Sequence, residues 1–269
     1  MSAPAVPARR SAPTRERLTL GMNPLRLAFS AGPWLSARYI VSYLVVSWVT
    51  FSVAVTAVCC AGALALTVLA LPLLLAAAQV VHWCAAVERR MQAQLYTEPV
   101  SAAYLPPEGR GIWARATAAW RDRAIWRELG YLIGLWVPLY GLDTIVLSVW
   151  LTFLAGITVP LWYWAPRGTD TVGYVNGATG HGLAIGYFPH GANGPGSVGV
   201  YVDTLPKALL AAVAFAVLFL LFNYVLVATA RMHGRVARAL LRPPADPLEE
   251  VRSVLTGPGP LGPLTGAER

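Results

Sequence analysis

From Tyr39 to Ala86 the chain contains no charged side chain. A helix that crosses a bilayer needs about twenty mostly apolar residues, and this run is more than twice that length. We therefore predict two membrane spans, at about 39–60 and 63–86, joined by a very tight turn near Gly62.

Two further apolar runs predict a third and a fourth span. The third is expected at about 130–156, with Pro138 inside it and the aromatic cluster Trp162–Trp164 after it, and the fourth at about 205–230. The composition agrees, since 56% of the residues are hydrophobic and 13% are charged, whereas a soluble domain carries about 25% charged residues. The predicted fold class is an all-α membrane protein with four transmembrane helices and a small extracellular β-hairpin or meander loop.

Basic residues flank the apolar runs. Segments 1–38, 87–128 and 231–269 contain nineteen arginines, whereas the segment between the third and fourth spans contains only Arg167 and Lys207. Because cytoplasmic loops are enriched in lysine and arginine, we predict a multi-pass protein of the plasma membrane with both termini and the middle loop in the cytoplasm. This distribution also accounts for the formal net charge of +8, so no nucleic-acid partner is predicted.

The topology divides the chain into three regions. A disordered basic cytoplasmic tail is predicted for residues 1–37, the four-span membrane domain for 38–243, and a disordered cytoplasmic tail for 244–269. The external loop covers about 165–204, and residues 247–255 are a candidate short helix in the last tail.

The middle loop contains the sequence GIWARATAAWRDRAIWRELGY, in which tryptophans are interleaved with arginines. A single helix would place Trp113, Ala116, Trp120 and Ala124 along one side. That pattern is typical of a helix that lies in the interface of an anionic membrane. The alternative is a solvated basic linker.

The sequence contains no recognisable catalytic, metal or cofactor motif. Cys59, Cys60 and Cys84 lie in apolar segments without CxxC spacing, and we interpret them as lipid-facing or packing residues. His181 and His190 lack a third ligand nearby. The GATGHG segment lacks the lysine and serine or threonine of a nucleotide loop and is interpreted as a turn. We predict no enzymatic activity, no metal and no cofactor.

Asp143 is the one acidic residue well inside an apolar run. A charge at the centre of a bilayer costs about 2.5 to 3.5 kcal/mol on insertion scales, so such a residue is a functional candidate. One interpretation is a polar contact to a ligand or an ion. The other is a hydrogen bond to Thr144, Ser148 or a tyrosine across the bundle.

Two other features predict helix packing. Gly130 and Gly134 form a GxxxG motif at the start of the third span, a spacing that lets two helices approach closely. We expect that approach within one chain, with dimerisation as the alternative. Asn223 in the fourth span predicts an interhelical hydrogen bond.

The external loop alternates short β-branched runs with glycine-rich turns. It predicts a small twisted β-meander or hairpin, too small to have its own core. Asp203 and Thr204 precede Pro206 in a position to cap the fourth span, which would join the loop mechanically to that helix. Beside Asp143, the candidate residues for contact with a ligand or signal are Tyr187, Phe188, His190, Tyr201 and Asp203.

A set of motifs resembles a known family in order and spacing. The segments are LALPLLL followed by VERRM, then WRELGYLIGLWVPLYG, VPLWYW and VDTLPKALLAAVAFAVLF, with the tail ARMHGRVARALLRP. They resemble the sensor domain that forms the N-terminal membrane module of many actinobacterial two-component histidine kinases and that also occurs alone. The resemblance covers roughly residues 38–243.

The resemblance implies an integral membrane sensor that transmits an envelope or bilayer signal to a cytoplasmic partner. In kinases of that family the tail continues into a phosphoacceptor helix and an ATP-binding domain, and this sequence contains no such kinase core. Besides the lipid bilayer, the expected partners are a histidine kinase or another cytoplasmic signalling protein, with a homodimer as a further option. The alternative function is a small permease or an accessory subunit of a membrane transporter, which Asp143, Asn223, Pro138 and Pro160 suggest.

Overall fold

The computed structural model describes residues 23–67, 69–96, 111–165, 172–175, 182–190 and 194–242. Several sequence predictions lie outside these residues. These predictions concern most of the two tails, including the candidate helix at 247–255. They also concern His181 and most of the GATGHG segment.

Four long helices dominate the described part of the chain. In chain order the helices are α1 (Pro24–Ala28), α2 (Ala31–Ala63), α3 (Ala70–Met91), α4 (Ile112–Arg121), α5 (Arg123–Leu129), α6 (Trp136–Ile157), α7 (Val159–Trp162) and α8 (Leu205–Leu241). The helices α2, α3, α6 and α8 are long and apolar enough to cross a membrane. Together with a small three-stranded sheet, they confirm the predicted fold class.

The first two long helices differ from their predicted limits. Residues 23–37, which we assigned to a disordered tail, form α1 and the first turns of α2. The helix α2 then continues past Gly62, and the connection to α3 covers residues 64–69 instead of a very tight turn. Gly62 is a typical helix-stop residue, but α2 includes it in its last turn and ends at Ala63 with Leu64 as its C-cap.

The predicted interfacial helix of the middle loop is divided at Asp122. The side chain of Asp122 accepts a hydrogen bond of 2.8 Å from the backbone N–H of Ala124, and so caps the start of α5. The indole of Trp120 donates a 3.0 Å bond to the carbonyl of Leu74, which joins this segment to α3. Trp113 is exposed whereas Trp120 is partly buried, so the two tryptophans of the predicted helix do not share one environment.

Contacts between rings fix the direction of α2. The rings of Trp34 and Trp150 are 5.3 Å apart, and those of Trp48 and Trp136 are 5.1 Å apart. From the first pair to the second, the residue number rises in α2 and falls in α6, so α2 and α6 are antiparallel. The helices α6 and α8 are also antiparallel. Asp143 contacts His233, whereas Trp150, later in α6, bonds Asn223, earlier in α8. It follows that α2 and α8 are parallel.

This direction differs from the predicted topology, in which four successive crossings make α2 parallel to α6. We call the Leu205 end of α8, which adjoins the sheet, the sheet end, and the end with Arg231, Arg235 and Arg238 the arginine end. The connection between α2 and α3 points beyond the arginine end, away from the sheet. Apolar length predicts that a helix forms, but individual aromatic contacts decide which neighbour it packs on and in which direction.

Labelling of single cysteines tests this direction. In a protein whose native cysteines are replaced, Leu66→Cys and His190→Cys each place a thiol on an exposed residue, one in the connection between α2 and α3 and one beside the sheet. The packing predicts that a membrane-impermeant maleimide applied to intact cells labels one of the two variants and not the other. Equal labelling of both variants would restore the predicted alternation.

The sheet has the order β1 (Val172–Val175), β2 (Leu183–Phe188) and β3 (Val198–Val202). The strands β2 and β3 form an antiparallel hairpin, as predicted, whereas β1 is parallel to β2, so the three strands are not a meander. Glycine-rich strands specify their pairing weakly, which explains why the sequence could not predict the direction of β1. Gly186 has a φ of +139°, and a side chain there would overlap the carbonyl of Val198, so the hairpin requires glycine at this position.

The sheet packs directly on the start of α8. A small buried cluster joins Val159 of α7, Leu183 of β2, Val202 of β3 and Ala208 of α8. Because β3 ends only three residues before α8 begins, the sheet and the helix are both covalently and sterically connected.

Candidate functional site: a buried polar hub

A group of buried polar side chains surrounds His233, two residues beyond Arg231 in α8. The His233 Nδ1 lies 2.7 Å from Oδ2 of Asp143, and its Nε2 lies 3.1 Å from the hydroxyl of Tyr131. All three residues are at most 2% exposed. One neutral tautomer satisfies both contacts, with Nδ1–H donating to Asp143 and Nε2 accepting from Tyr131.

Two tyrosines of α2 complete this group. The ring of Tyr43 lies 4.1 Å from the His233 ring, edge to face, and that of Tyr39 lies 5.4 Å away. The hydroxyl of Tyr39 accepts a 3.0 Å bond from the side-chain amide of Gln92, just after α3. We call Tyr39, Tyr43, Tyr131, Asp143 and His233 the polar hub.

A second buried carboxylate lies next to the hub. Glu88 of α3 is 1% exposed and accepts one bond of 3.1 Å, from the hydroxyl of Thr50 in α2. Within the described residues, Oε2 of Glu88 and Oδ1 of Asp143 have no hydrogen-bond partner. An unsatisfied buried polar atom costs about 1 to 3 kcal/mol, so these two carboxylates would gain from a change in how the helices pack.

An ion cluster holds α5 against α3 beside the hub. Glu128 lies 2.9 Å from Nη1 of Arg89 and 2.6 Å from Nδ1 of His82, and Glu128 and Arg89 are both buried. Sequence reasoning counted Arg89 among the residues that flank a span and gave no role to Glu128. Two residues of opposite charge that are far apart in the sequence give no signal that they pair.

The helices α6 and α8 are bonded at two levels. Besides Asp143 with His233, the indole of Trp150 donates a 2.9 Å bond to the side-chain oxygen of Asn223, and both residues are buried. The interhelical hydrogen bond predicted for Asn223 is thereby confirmed. Two polar contacts about ten residues apart along α8 fix both the rotation and the register of the helix pair.

Asp143 is in the hub, but its partner is not one that the sequence suggested. Thr144 donates to the carbonyl of Tyr140 in its own helix, and the Asp143 carboxylate bonds His233 instead. His233 lies near the end of the fourth apolar run and is fully buried within the helix bundle. Its spacing with Ala237 and Leu241, which are also buried, was the available signal that this face of α8 continues as a packed surface.

The other candidate residues lie at the sheet end. From Asp203 to His233 there are 30 residues, and a helix of that length covers about 45 Å, so the sheet cannot contribute to the hub. Phe188 is buried and its ring lies 6.3 Å from that of Tyr201. Tyr187 and His190 are exposed at the same end of the molecule.

The GxxxG motif does not support a close helix contact within the chain. Residues Gly130–Gly134 form a π-helical turn between α5 and α6, in which the N–H of Leu135 bonds the carbonyl of Gly130 at 2.9 Å. A side-chain carbon added at either glycine would meet no atom of the described residues within 4 Å. The prediction of intramolecular packing at these glycines is therefore wrong.

The predicted cap of α8 is also different. Thr204 occupies the N-cap position without a side-chain hydrogen bond. Asp203 instead accepts a 2.7 Å bond from Nζ of Lys207, one turn into the helix. The joint between sheet and helix is thus an exposed ion pair together with the apolar cluster around Ala208.

The Asp203 pair predicts a small pH dependence at the sheet end. The hydrogen bond from Lys207 lowers the pKa of the Asp203 carboxyl. A lowered pKa means that the pair stabilises the fold above the unfolded value of about 3.9 and is lost as the pH falls through the folded value. We expect the Asp203 titration midpoint, measured by carboxyl-carbon NMR, to rise in Lys207→Gln. An unchanged midpoint would show that Lys207 is not the cause.

The fold and the hub define a class of multi-pass helical membrane protein in which a small sheet lies at one end and buried ionisable groups lie between the helices. A comparison with protein families gives a match to the family described as "Putative sensor", over residues 39–241. Because this match covers well over half of the chain, the protein belongs to that sensor family. No curated protein and no solved structure matches the chain.

Proposed function

We propose that this membrane sensor transmits an envelope or bilayer signal to a cytoplasmic signalling partner through α8. The observation that carries the proposal is the continuity of α8, a single helix of 37 residues from Leu205 to Leu241. One end adjoins the sheet, and the other end places His233 in the hub. A displacement of the sheet therefore has a rigid path to the arginine end.

The hub supplies the element that such a displacement would change. Asp143 in the hub and Glu88 beside it each have one carboxylate oxygen without a hydrogen-bond partner among the described residues, so a second arrangement of the helices could satisfy these atoms. Switching proteins commonly shift helices by about 1 to 2 Å. A shift of that size breaks or lengthens the contact from Asp143 to His233 without unfolding either helix.

The concentration of arginine supports a cytoplasmic arginine end, following the positive-inside rule. There α8 has two faces. The face with His233, Gly234, Ala237 and Leu241 is buried, and an exposed stripe remains for a partner. The stripe consists of Met232, Arg235, Ala239 and Arg242. A histidine kinase of an actinobacterial two-component system, the setting suggested by the resemblance, is the partner we propose.

A carrier function is the second candidate, favoured by the unpartnered oxygens of Asp143 and Glu88. Against a carrier function, the Asp143 carboxylate already bonds His233 and has no exposed surface. A flux assay in proteoliposomes that compares wild type with Asp143→Asn distinguishes the two. A carrier predicts a flux that this variant abolishes.

Photo-crosslinking in living cells tests the sensor proposal. A photoreactive amino acid at Met232 or Ala239 should form an adduct with one cytoplasmic protein, whereas the same amino acid at Leu209, exposed near the sheet end, should not. Ala208→Leu overfills the buried contact between α8 and the sheet, and we expect it to change the adduct yield about two-fold or more. No adduct, or a yield that Ala208→Leu leaves unchanged, would contradict the proposal.

A further inference from the structure

An apolar groove of about 440 Å³ lies between the sheet and α8. One wall is formed by β2, β3 and α7, and the other by about three turns of α8. On the helix side the lining includes Leu210, Ala211, Ala214, Phe215 and Leu218. This volume falls within the range of about 300 to 1,000 Å³ that is usual for small-molecule sites.

The position of the groove indicates what fills it. Its helical wall belongs to the most apolar of the four spans, and it begins one turn inside the sheet end. At that depth the surrounding medium is the outermost part of the acyl chains and the head groups above them. An apolar slot with a charged rim at such a boundary matches an amphiphile, with its chain along α8 and its head group at the rim.

The rim favours an anionic head group. Lys207 borders the groove and is the basic residue closest to it among the described residues. It is paired with Asp203, but both side chains are more than one-third exposed, and exposed pairs of this kind are weak. A phosphate can therefore replace the Asp203 carboxylate as the partner of the Lys207 ammonium.

We propose that this groove binds one acyl chain of an anionic membrane phospholipid, with the lipid phosphate at Lys207. This inference rests on the proposed sensor function, because the bound lipid would be the signal that the sensor detects. The groove walls are the two parts whose relative position the sensor would read, β3 and the start of α8. Val200 of β3 and Leu210 of α8 both line the groove, so a chain bound there contacts both parts at once.

The test uses the full chain in vesicles of phosphatidylcholine with or without phosphatidylglycerol, each carrying a photoreactive group on its acyl chain. We expect phosphatidylglycerol to crosslink to the peptide that contains Leu210 and Ala214 at a several-fold higher yield than phosphatidylcholine does. Ala214→Trp should fill the groove and remove this signal. Val213→Trp, on an exposed residue of α8 outside the groove lining, is the matched control and should retain it.

Two surface variants keep the proposal falsifiable if Ala214→Trp fails to fold. Lys207→Gln should lower phosphatidylglycerol labelling, and Asp203→Asn, which leaves Lys207 unpaired, should raise it, each by about two- to five-fold. Equal labelling by both lipids, or the same labelling in both variants, would overturn the proposal. Because no partner is needed, this result is independent of the photo-crosslinking test of the sensor function.

Discussion

Replacing Asp143 with alanine should lower the free energy of unfolding by about 1 to 3 kcal/mol, the range for leaving a buried hydrogen-bonding group without its partner. The change leaves the Nδ1–H of His233 without an acceptor in a site with no exposed surface. It also removes one of the two polar contacts that fix α6 on α8. Asp143→Asn keeps a side-chain oxygen and should cost less.

The measurement is the unfolding of purified protein in mixed micelles with increasing denaturing detergent. Thr144→Ala is the control, because Thr144 is the neighbouring residue, is exposed and bonds only within its own helix. We expect a loss of less than about 0.5 kcal/mol there. If the two alanine variants lose the same free energy, the hub is not a stabilising centre and the assignment of His233 as its middle is wrong.

Two glycines of α6 should respond to alanine in opposite directions. A side-chain carbon at Gly156 would overlap the ring of Phe215 in α8, so Gly156→Ala should cost about 1 to 3 kcal/mol through overpacking. Gly141 has open space where its side chain would be, and Gly141→Ala should be neutral or stabilise by up to about 1 kcal/mol through helix propensity.

The same unfolding assay measures this pair, and a double variant identifies the mechanism. In a Phe215→Ala background, Gly156→Ala should cost much less than it does in the wild type, because the overlapping ring is gone. A loss at Gly156 that persists in the double variant would mean that backbone flexibility, and not the contact with α8, is what the glycine provides.

The sequence could predict four long helices because apolar length is a property of each segment alone. It could also predict that Asp143 and Asn223 have polar partners, since a polar group inside an apolar run needs one. It could not name those partners. The partner of Asp143, His233, lies 90 residues away in the sequence, and the partner of Asn223, Trp150, lies 73 residues away. No local sequence pattern indicates a contact at such a distance.

The direction of α2 could not be predicted from the sequence for a related reason. Arginine counts predict sides of a membrane for loops, and alternation then assigns a direction to every helix. The packing instead depends on where single aromatic rings meet, as Trp34 and Trp48 do with Trp150 and Trp136. Likewise, the strands of the sheet were predictable from β-branched runs, but the parallel pairing of β1 was not.

The most direct test of signal transmission through α8 is whether a change at the sheet end alters the helix packing at the arginine end. Nitroxide labels at Val137 of α6 and Ala239 of α8, both exposed, report the separation of the two helices by pulsed electron paramagnetic resonance in nanodiscs. Ala208→Leu changes the sheet contact, and Leu209→Ala, a neighbouring exposed position, serves as the control. We expect Ala208→Leu alone to shift the distance distribution by about 1 to 2 Å, whereas identical distributions in all three proteins would contradict transmission through α8.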